Sequence, residues 1–299
     1  MDAPLIPSAI MTLRRDRHEQ LRYNLLEGIQ DPPRVSVVIP ALNEAKNLSH
    51  VLPRIPTWVH EVILIPGHST DDTVEVARQL WPTIRVVEQK RRGKGAALQS
   101  GFAAATGEII VMLDADGSMD PKEIPAFVRT LQQGADFAKG SRFTNGGGTV
   151  DMEFYRKFGN WGLLLAVRLL FGGQYSDLCY GYNAFWAYVL PTLNLDGDGF
   201  EIETMMNVRA LREGLRVTEV PSFEAERIHG VSNLHTIRDG WRVLKTIVKE
   251  RVKRSRRAEA QLVDEPAKIV LAPFEAANPL VSAEIVPVIE IERAVGAAQ

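Results

Sequence analysis

An α/β fold, with a mostly parallel sheet flanked by helices on both faces, is predicted by three observations. Between residues 34 and 141, short apolar runs alternate with helical patterns, the βαβα order that builds a parallel sheet. With 45% hydrophobic residues over 299 positions, the chain can bury one substantial core. Two acids, Asp114 and Asp116, follow the apolar run 109–113 directly, where open α/β sheets collect ligands at the carboxyl ends of their strands.

The elements follow in order. Strands are expected at 35–39, 62–65, 84–87, 109–113 and 137–139, each a short β-branched or aromatic run bounded by turn residues. Helices are expected between them, at 45–52, 72–80, 95–105 and 122–132, from apolar residues at helical spacing. Past Gly146-Gly147-Gly148 the pattern changes to a long helix over 152–171, an aromatic stretch at 180–188, a helix near 202–213 and a strand near 217–220. This gives an N-terminal extension over 1–33, a single domain over 34–230, a basic amphipathic helix over 231–258 and a flexible tail over 259–299. No internal repeat is evident.

Composition excludes several classes. A net charge of -2 argues against a basic nucleic-acid binder. The single cysteine, Cys179, excludes an intrachain disulfide framework and suits a reducing cytoplasm, with the thiol read as a core residue. The N-terminal charges Arg14, Arg15, Asp16 and Arg17 have no apolar stretch behind them, so no signal peptide is expected. No run approaches the ~18 to 20 apolar residues that span a bilayer; the longest candidate, 161–171, contains Arg168 and can at most lie at an interface.

Asp114-Ala115-Asp116 is the strongest chemical signal. In an extended segment side chains alternate, so the two carboxylates share a side and can hold Mg2+ or Mn2+ through hard oxygen ligands. A solvated turn before the helix at Pro121 is the competing reading. Around this pair, the run Val35-Ser36-Val37-Val38-Ile39-Pro40-Ala41-Leu42-Asn43-Glu44, then Ser69-Thr70-Asp71-Asp72-Thr73, Lys94-Gly95 and Ala105-Thr106-Gly107-Glu108, resembles the family-2 glycosyltransferases over about residues 34 to 230. The resemblance implies a GT-A fold, a nucleotide-diphosphate-sugar donor, a divalent metal at Asp114 and Asp116, and inversion at the anomeric carbon. It places the donor against Pro40, Ala41, Asn43, Glu44 and Asp71, and against Lys94, Asp114, Ala115 and Asp116.

Each residue also has a plainer reading. Asn43 suits a helix cap as well as a nucleoside contact, and Ser69, Thr70 and Asp71 suit the start of the next helix. Lys94, between Gly93 and Gly95, can approach phosphates because the glycines clear the backbone around it, or it can be a solvated lysine. One departure stands out. Where many members carry an acid after the second strand, this chain has Pro66-Gly67-His68, and proline offers no side-chain acceptor for a base.

The second half resembles the polyprenyl-phosphate (dolichyl-phosphate) mannosyl- and glucosyltransferases, in Gly140-Ser141-Arg142, Arg156 with Asn160, Asp177 before Gly181-Tyr182-Asn183, Gly199-Phe200-Glu201, Glu219-Val220-Pro221 and Arg227 with Gly230 and Ser232. Asn160 and Asn233 stand where serine and lysine are frequent. The implied acceptor site comprises Arg142, Arg156, Asn160, Arg227 and Glu201, with catalytic weight on Asp116, Asp177, Arg142 and Arg227. A polyprenyl monophosphate is already an anionic nucleophile, so it needs cationic positioning more than proton removal, and planar guanidinium groups match its oxygens. A sugar-hydroxyl acceptor would need a base instead, for which Asp177, Glu201 and Glu203 are candidates; the two glutamates point in different directions and also suit a helix start. Tyr180, Tyr182, Phe185 and Trp186 can shape a sugar pocket or fill a core.

Residues 241–257 place Trp241, Leu244, Ile247, Val248 and Val252 on one helical face with a basic remainder, suited to anionic lipid or to packing on the domain. The expectation is therefore a cytoplasmic hexosyltransferase, peripheral on the membrane, that passes a sugar from a UDP-glucose- or GDP-mannose-type donor to polyprenyl phosphate. A soluble acceptor, or a non-catalytic sugar-nucleotide binder, is the alternative. A homo-oligomer or a membrane-protein partner is left open. A nucleotidyltransferase is disfavoured because no glycine-rich triphosphate loop lies near the first strand.

Overall fold

The computed structural model describes residues 32–150, 152, 154–230 and 236–252. Most of the expected extension 1–33 and all of the expected tail 259–299 lie outside the described residues.

The central strands are built from sequences that are nearly all apolar. β1 (Val35–Pro40), β2 (Glu61–Ile65) and β4 (Ile109–Met112) are buried on both faces, as near-continuous apolar runs in a parallel sheet require. β1 pairs parallel with both neighbours, Val37 facing Val62 on one side and Val111 on the other. β3 (Arg85–Val86) extends the sheet beyond β2. All four strands therefore point their carboxyl ends at one edge.

Helices α1 (Ala45–Val51), α2 (Thr73–Leu80) and α3 (Lys94–Ala104) join these strands, and α4 (Ile124–Gln132) follows β4. In α4 a proline in the first turn leaves no necessary donor unmet, and Ile124, Phe127, Val128 and Leu131 turn one stripe inward. Phe127 stacks on Tyr182 with ring centroids 4.3 Å apart. Burying each such side chain contributes about 1.5–3 kcal/mol.

The second half completes the sheet with one reversal. β5 (Phe137–Ser141) and β8 (Val217–Pro221) pair in parallel, while β7 (Asn183–Trp186) runs antiparallel between β4 and β5. The strand order is β3-β2-β1-β4-β7-β5-β8, and a two-stranded ribbon joins β6 (Gly148–Thr149) to β9 (Phe223–Glu224). The aromatic stretch thus contains a central strand: Tyr182, Phe185 and Trp186 are core, and of the four aromatics considered for a sugar pocket Tyr180 alone lines a cavity.

A short helix, α6 (Leu190–Leu193), precedes α7 (Glu201–Arg212). The long helix α5 (Phe154–Phe171) and the C-terminal α8 (Thr236–Val252) flank α7 and share a satellite core of Val167, Leu178, Val208, Val243 and Ile247. Glu250, buried on α8, is held by Arg209 at 2.7 Å and Arg212 at 2.6 Å. The inward face of α8 is therefore Val243, Ile247 and Glu250, whereas Trp241, Val248 and Val252 of the predicted stripe face outward. Among the described residues no helix is long and apolar enough to cross a membrane.

Candidate active site

Two adjoining cavities, each about 210 Å3, open along the carboxyl edge of the sheet and share Lys94, Asp114, Asp116, Phe200 and Arg227. The first reaches across the ends of β1, β2 and β3 and is walled by Pro40, Ala41, Leu42, Glu44, Gly67 and Gln89. The second runs toward α5 and α8, lined by Arg142, Asn160, Tyr180, Glu203, Glu224 and Val243 among others.

Asp114 follows β4 closely and Ala115-Asp116 open a turn, so the pair does not lie in one extended segment. Asp116 Oδ1 accepts from the Ser118 amide at 3.0 Å and its hydroxyl at 2.7 Å, and Gly117 at φ +81° closes the turn. That leaves Asp116 Oδ2 facing Arg227 at 2.8 Å, while Asp114 meets Lys94 at 2.7 Å. Lys94 Nζ also donates to Glu203 at 2.7 Å, so one ammonium holds two carboxylates. Burial, with Asp116 and Glu203 adding repulsion, pushes Asp114 up to about 6 against the pull of Lys94. Lys94 is held above the usual lysine range: burial opposes its charge, but Asp114 and Glu203 outweigh that cost. Gly181 packs directly on this cluster, since a Cβ there would lie 2.7 Å from Glu203 Oε1 and 3.1 Å from Lys94 Nζ.

The structure reassigns several expected residues. The glycines beside Lys94 admit protein backbone: a Cβ on Gly95 would lie 2.2 Å from the Gly197 carbonyl, so the 197–199 loop occupies the cleared space. Asn43, at φ +59°, accepts from the Thr70 amide and donates its own amide to Ser69, tying the β1 and β2 loops together. Asp71 accepts from the amides of Ala45 and Thr73 and from the Thr73 hydroxyl. Both lie outside the lining of the first cavity, and each ties loops together beside it. Pro40, Ala41, Glu44, Lys94, Asp114, Ala115 and Asp116 do line it.

Of the residues expected to bind the acceptor, Arg142 lines the second cavity, its guanidinium gripped by Asp177 at 2.6 and 2.9 Å and by Glu224 at 2.9 Å. Asp177 is completely buried behind it and lines neither cavity, and its carboxylate orients Arg142. Arg142 holds Asp177 below the usual carboxylate range even though burial works the other way. Glu201 also turns aside: its Oε1 accepts from the Gly199 amide at 3.0 Å, and it lines neither cavity. Glu203, two residues on, is the acid that enters the cleft. Asn160 lines the second cavity and accepts from the Leu178 amide at 3.3 Å, whereas the side chain of Arg156, on α5, lies outside the described residues. Arg227 reaches both cavities and also bonds Glu44 at 2.9 Å. Burial, with the charges of Asp177 and Glu203, pushes the Cys179 thiol up to about 12, which leaves it no thiolate character.

A carboxylate pair flanked by cations, at the carboxyl edge of a seven-stranded sheet, is the setting in which the comparisons with known proteins fall. Residues 36–190 match the model of Glycosyl transferase family 2. The chain belongs to that family. It is a glycosyltransferase built on the GT-A plan. It is 32% identical over 215 residues to the undecaprenyl-phosphate mannosyltransferase of Micrococcus luteus, covering 67% of this chain and 87% of that one. To the dolichol-phosphate mannosyltransferase of Pyrococcus furiosus it is 30% identical over 210 residues, 67% of this chain, and it spans only 59% of that relative's length. Among solved structures, glucosyl-3-phosphoglycerate synthase of Mycobacterium tuberculosis in complex with phosphoglyceric acid aligns with TM-score 0.60 at 26% identity, covering 73% of this chain and 80% of the other. The same enzyme in complex with Mn2+, UDP and glucosyl-3-phosphoglycerate aligns with TM-score 0.59 at 26% identity, covering the same shares of the two chains.

Sequence reasoning passed over Gln89 and Glu224, and offered Glu203 only as a candidate base beside Asp177 and Glu201. Glu203 shares the Glu201-x-Glu203 pattern, and helical periodicity was the available signal: 100° per residue puts the two acids on different faces, of which one meets Lys94 from α3.

Proposed function

We propose that this glycosyltransferase moves a hexose from a nucleoside-diphosphate sugar to a polyprenyl phosphate at an anionic membrane surface. The observation that carries the reading is the acceptor cavity: two guanidinium groups, Arg142 and Arg227, line a cleft that opens between α5 and α8, beside the acid pair. In the proposal the nucleoside diphosphate lies over Pro40, Ala41 and Lys94, with its phosphates toward Asp114 and Asp116.

The donor set there fits a divalent cation. Among the described residues no group of three or more metal-ligating side chains occurs, and Mg2+ or Mn2+ commonly uses one or two carboxylates and completes its shell with substrate phosphates and water. Asp114 and Asp116 would hold it, and when bound it would neutralise charge that builds on the departing diphosphate. Lys94 orients Asp114 and Glu203. Arg227, which pairs with Asp116 and Glu44 and lines both cavities, would bind phosphate oxygens. Arg142, fixed by Asp177, would align the acceptor so that a phosphate oxygen attacks the anomeric carbon while the bond to the diphosphate breaks and the nucleoside diphosphate leaves with its electron pair. No proton has to be removed from such a nucleophile.

The names of the mannosyltransferase relatives support the lipid acceptor, and so does the surface. α5 exposes Phe158, Trp161, Leu165 and Leu169 at helical spacing, with Trp161 58% and Leu169 76% exposed. α8 adds Trp241, Val248 and Val252 among Arg242, Lys245, Lys249 and Arg251. Apolar stripes with interleaved cations suit a headgroup interface, each well-placed cation contributing about 1 kcal/mol. A soluble phosphate-bearing acceptor is the second reading, favoured by the likeness to a structure in complex with phosphoglyceric acid.

The test incubates the full chain with Mn2+ or Mg2+, a panel of UDP- and GDP-sugars, and either a short polyprenyl phosphate or 3-phosphoglycerate, with product masses recorded. Glycosyl polyprenyl phosphate is the expected product. Glycosylated phosphoglycerate alone would transfer the assignment to the second reading, and retained turnover in Asp116→Ala would remove the acid pair from the mechanism.

A further inference from the structure

We infer that Phe200 carries the hexose that is transferred, its phenyl ring packing against a C–H face of the sugar. The inference rests on the nucleoside-diphosphate-sugar donor proposed above and adds which side chain holds the sugar itself.

The reaction sets where the hexose must lie. Its anomeric carbon is bonded to the diphosphate on one side and meets the acceptor on the other, so the sugar ring belongs where the first cavity adjoins the second. Five side chains line both cavities: Lys94, Asp114, Asp116, Arg227 and Phe200. The first four are charged and already paired, Lys94 with Asp114 and Arg227 with Asp116, so they suit hydroxyls and phosphates and offer no flat apolar face. Phe200 supplies that face. Glucose and mannose both present axial C–H groups on a ring face, and the π face of an aromatic ring is negative, so contact removes apolar area from water and favours those weakly positive hydrogens. Tyr180, an aromatic that the sequence also offers for a sugar pocket, lines the second cavity alone and has its ring 4.8 Å from the Arg142 guanidinium carbon.

The chain around Phe200 holds it in place. It is half-buried at the N-cap of α7, and the loop before it is fastened to α3. Gln99 Nε2 donates to the Gly197 carbonyl at 2.7 Å, and the Ala96 amide donates to the Asp198 carbonyl at 3.2 Å. The two glycines that flank Lys94 make room for this loop: a Cβ on Gly93 would lie 2.1 Å from the Asp198 carbonyl, and one on Gly95 would lie 2.2 Å from the Gly197 carbonyl. On the other side, Glu201 Oε1 fixes the Gly199 amide at 3.0 Å. Lys94 Nζ, 5.8 Å from the centroid of the Phe200 ring, borders it from the acid cluster. A ring set by its own loop in this way loses little freedom when a sugar arrives, so most of the contact energy goes to binding. Gly93, Gly95, Gln99 and Glu201 thus share one task, to present Phe200 where the two cavities meet.

Calorimetry of the full chain with Mn2+ and no acceptor tests this, comparing UDP with UDP-glucose and GDP with GDP-mannose in wild type, Phe200→Ala and Phe200→Tyr. For the preferred nucleotide, Phe200→Ala should bind the nucleotide sugar about 10-fold more weakly than wild type does and should bind the sugar-free diphosphate equally well. Phe200→Tyr keeps the ring and should hold both affinities within about threefold of wild type. Unchanged affinity of Phe200→Ala for the nucleotide sugar would overturn the inference and leave the donor reading standing. So would an equal loss for the nucleotide sugar and the sugar-free diphosphate, which marks a role in the nucleotide pocket or in folding. Failure of wild type to bind any of the four would overturn the donor reading, and the inference with it.

Discussion

Glu201 and Glu203 stand two positions apart on the first turn of α7 and have opposite surroundings. Glu203 shares Lys94 with Asp114 at 2.7 Å, whereas Glu201 is spent on the Gly199 amide. Glu203→Gln should lower kcat/KM by about 10-fold or more, since charge-assisted hydrogen bonds contribute ~1.5–3 kcal/mol, and Glu201→Gln should stay within about twofold of wild type. Steady-state kinetics with saturating acceptor separates the two. Asp177 gives a different signature because it acts through Arg142. Asp177→Ala leaves a buried guanidinium short of its main partner, so unfolding by urea should show a loss of about 3–5 kcal/mol. The acceptor KM should rise while the affinity for UDP or GDP is unchanged.

At the level of elements, the helices that flank the second cavity are tied to the body on one side and bare on the other. Val243, Ile247 and Glu250 pin α8 inward, which frees Trp241, Val248 and Val252 to face outward beside the α5 stripe. Flotation with phosphatidylglycerol-containing vesicles should carry the wild type upward, and Trp161→Asp with Leu169→Asp should leave the protein in the load fraction. Equal flotation of both would contradict a lipid role for α5. The periodicity of α8 was visible in the sequence, but its inward face was not: Glu250 is a charge, and only the arrival of Arg209 and Arg212 from α7 lets it be buried. The parallel strands were legible because burial on both faces leaves continuous apolar runs. β7 was not, because Asn183-Ala184-Phe185-Trp186 carries a buried asparagine and belongs to an aromatic stretch that has no period of its own. In the site, Asp114, Asp116, Lys94 and Arg142 were legible as residue types in order, whereas Gln89 depends on carbonyls of a loop that no pattern announces.

For the whole molecule, ion pairs that stitch sheet edges make folding sensitive to acid. Glu61 is lowered to about 2 from an ordinary 4.5: burial opposes ionisation, but hydrogen bonds from Ser36, Thr106 and Arg85 outweigh it. Asp136 is lowered to about 2 from 3.8 by Arg216 and Tyr188, again against burial. A carboxylate whose folded value is depressed contributes stability that is complete above its unfolded value and is lost as pH falls through the folded one. Stability should therefore fall between about pH 4.5 and 2, and urea titrations should show a shallower fall in Glu61→Gln. The central claim, however, is chemical: a paired-arginine cleft beside Asp114 and Asp116 takes an acceptor that is already anionic. The most direct measurement compares turnover of the preferred nucleotide sugar with a short polyprenyl phosphate and with the same polyprenol lacking phosphate. Glycosyl transfer to the phosphate, with none detectable to the alcohol, is the predicted result; comparable transfer to the alcohol would contradict it.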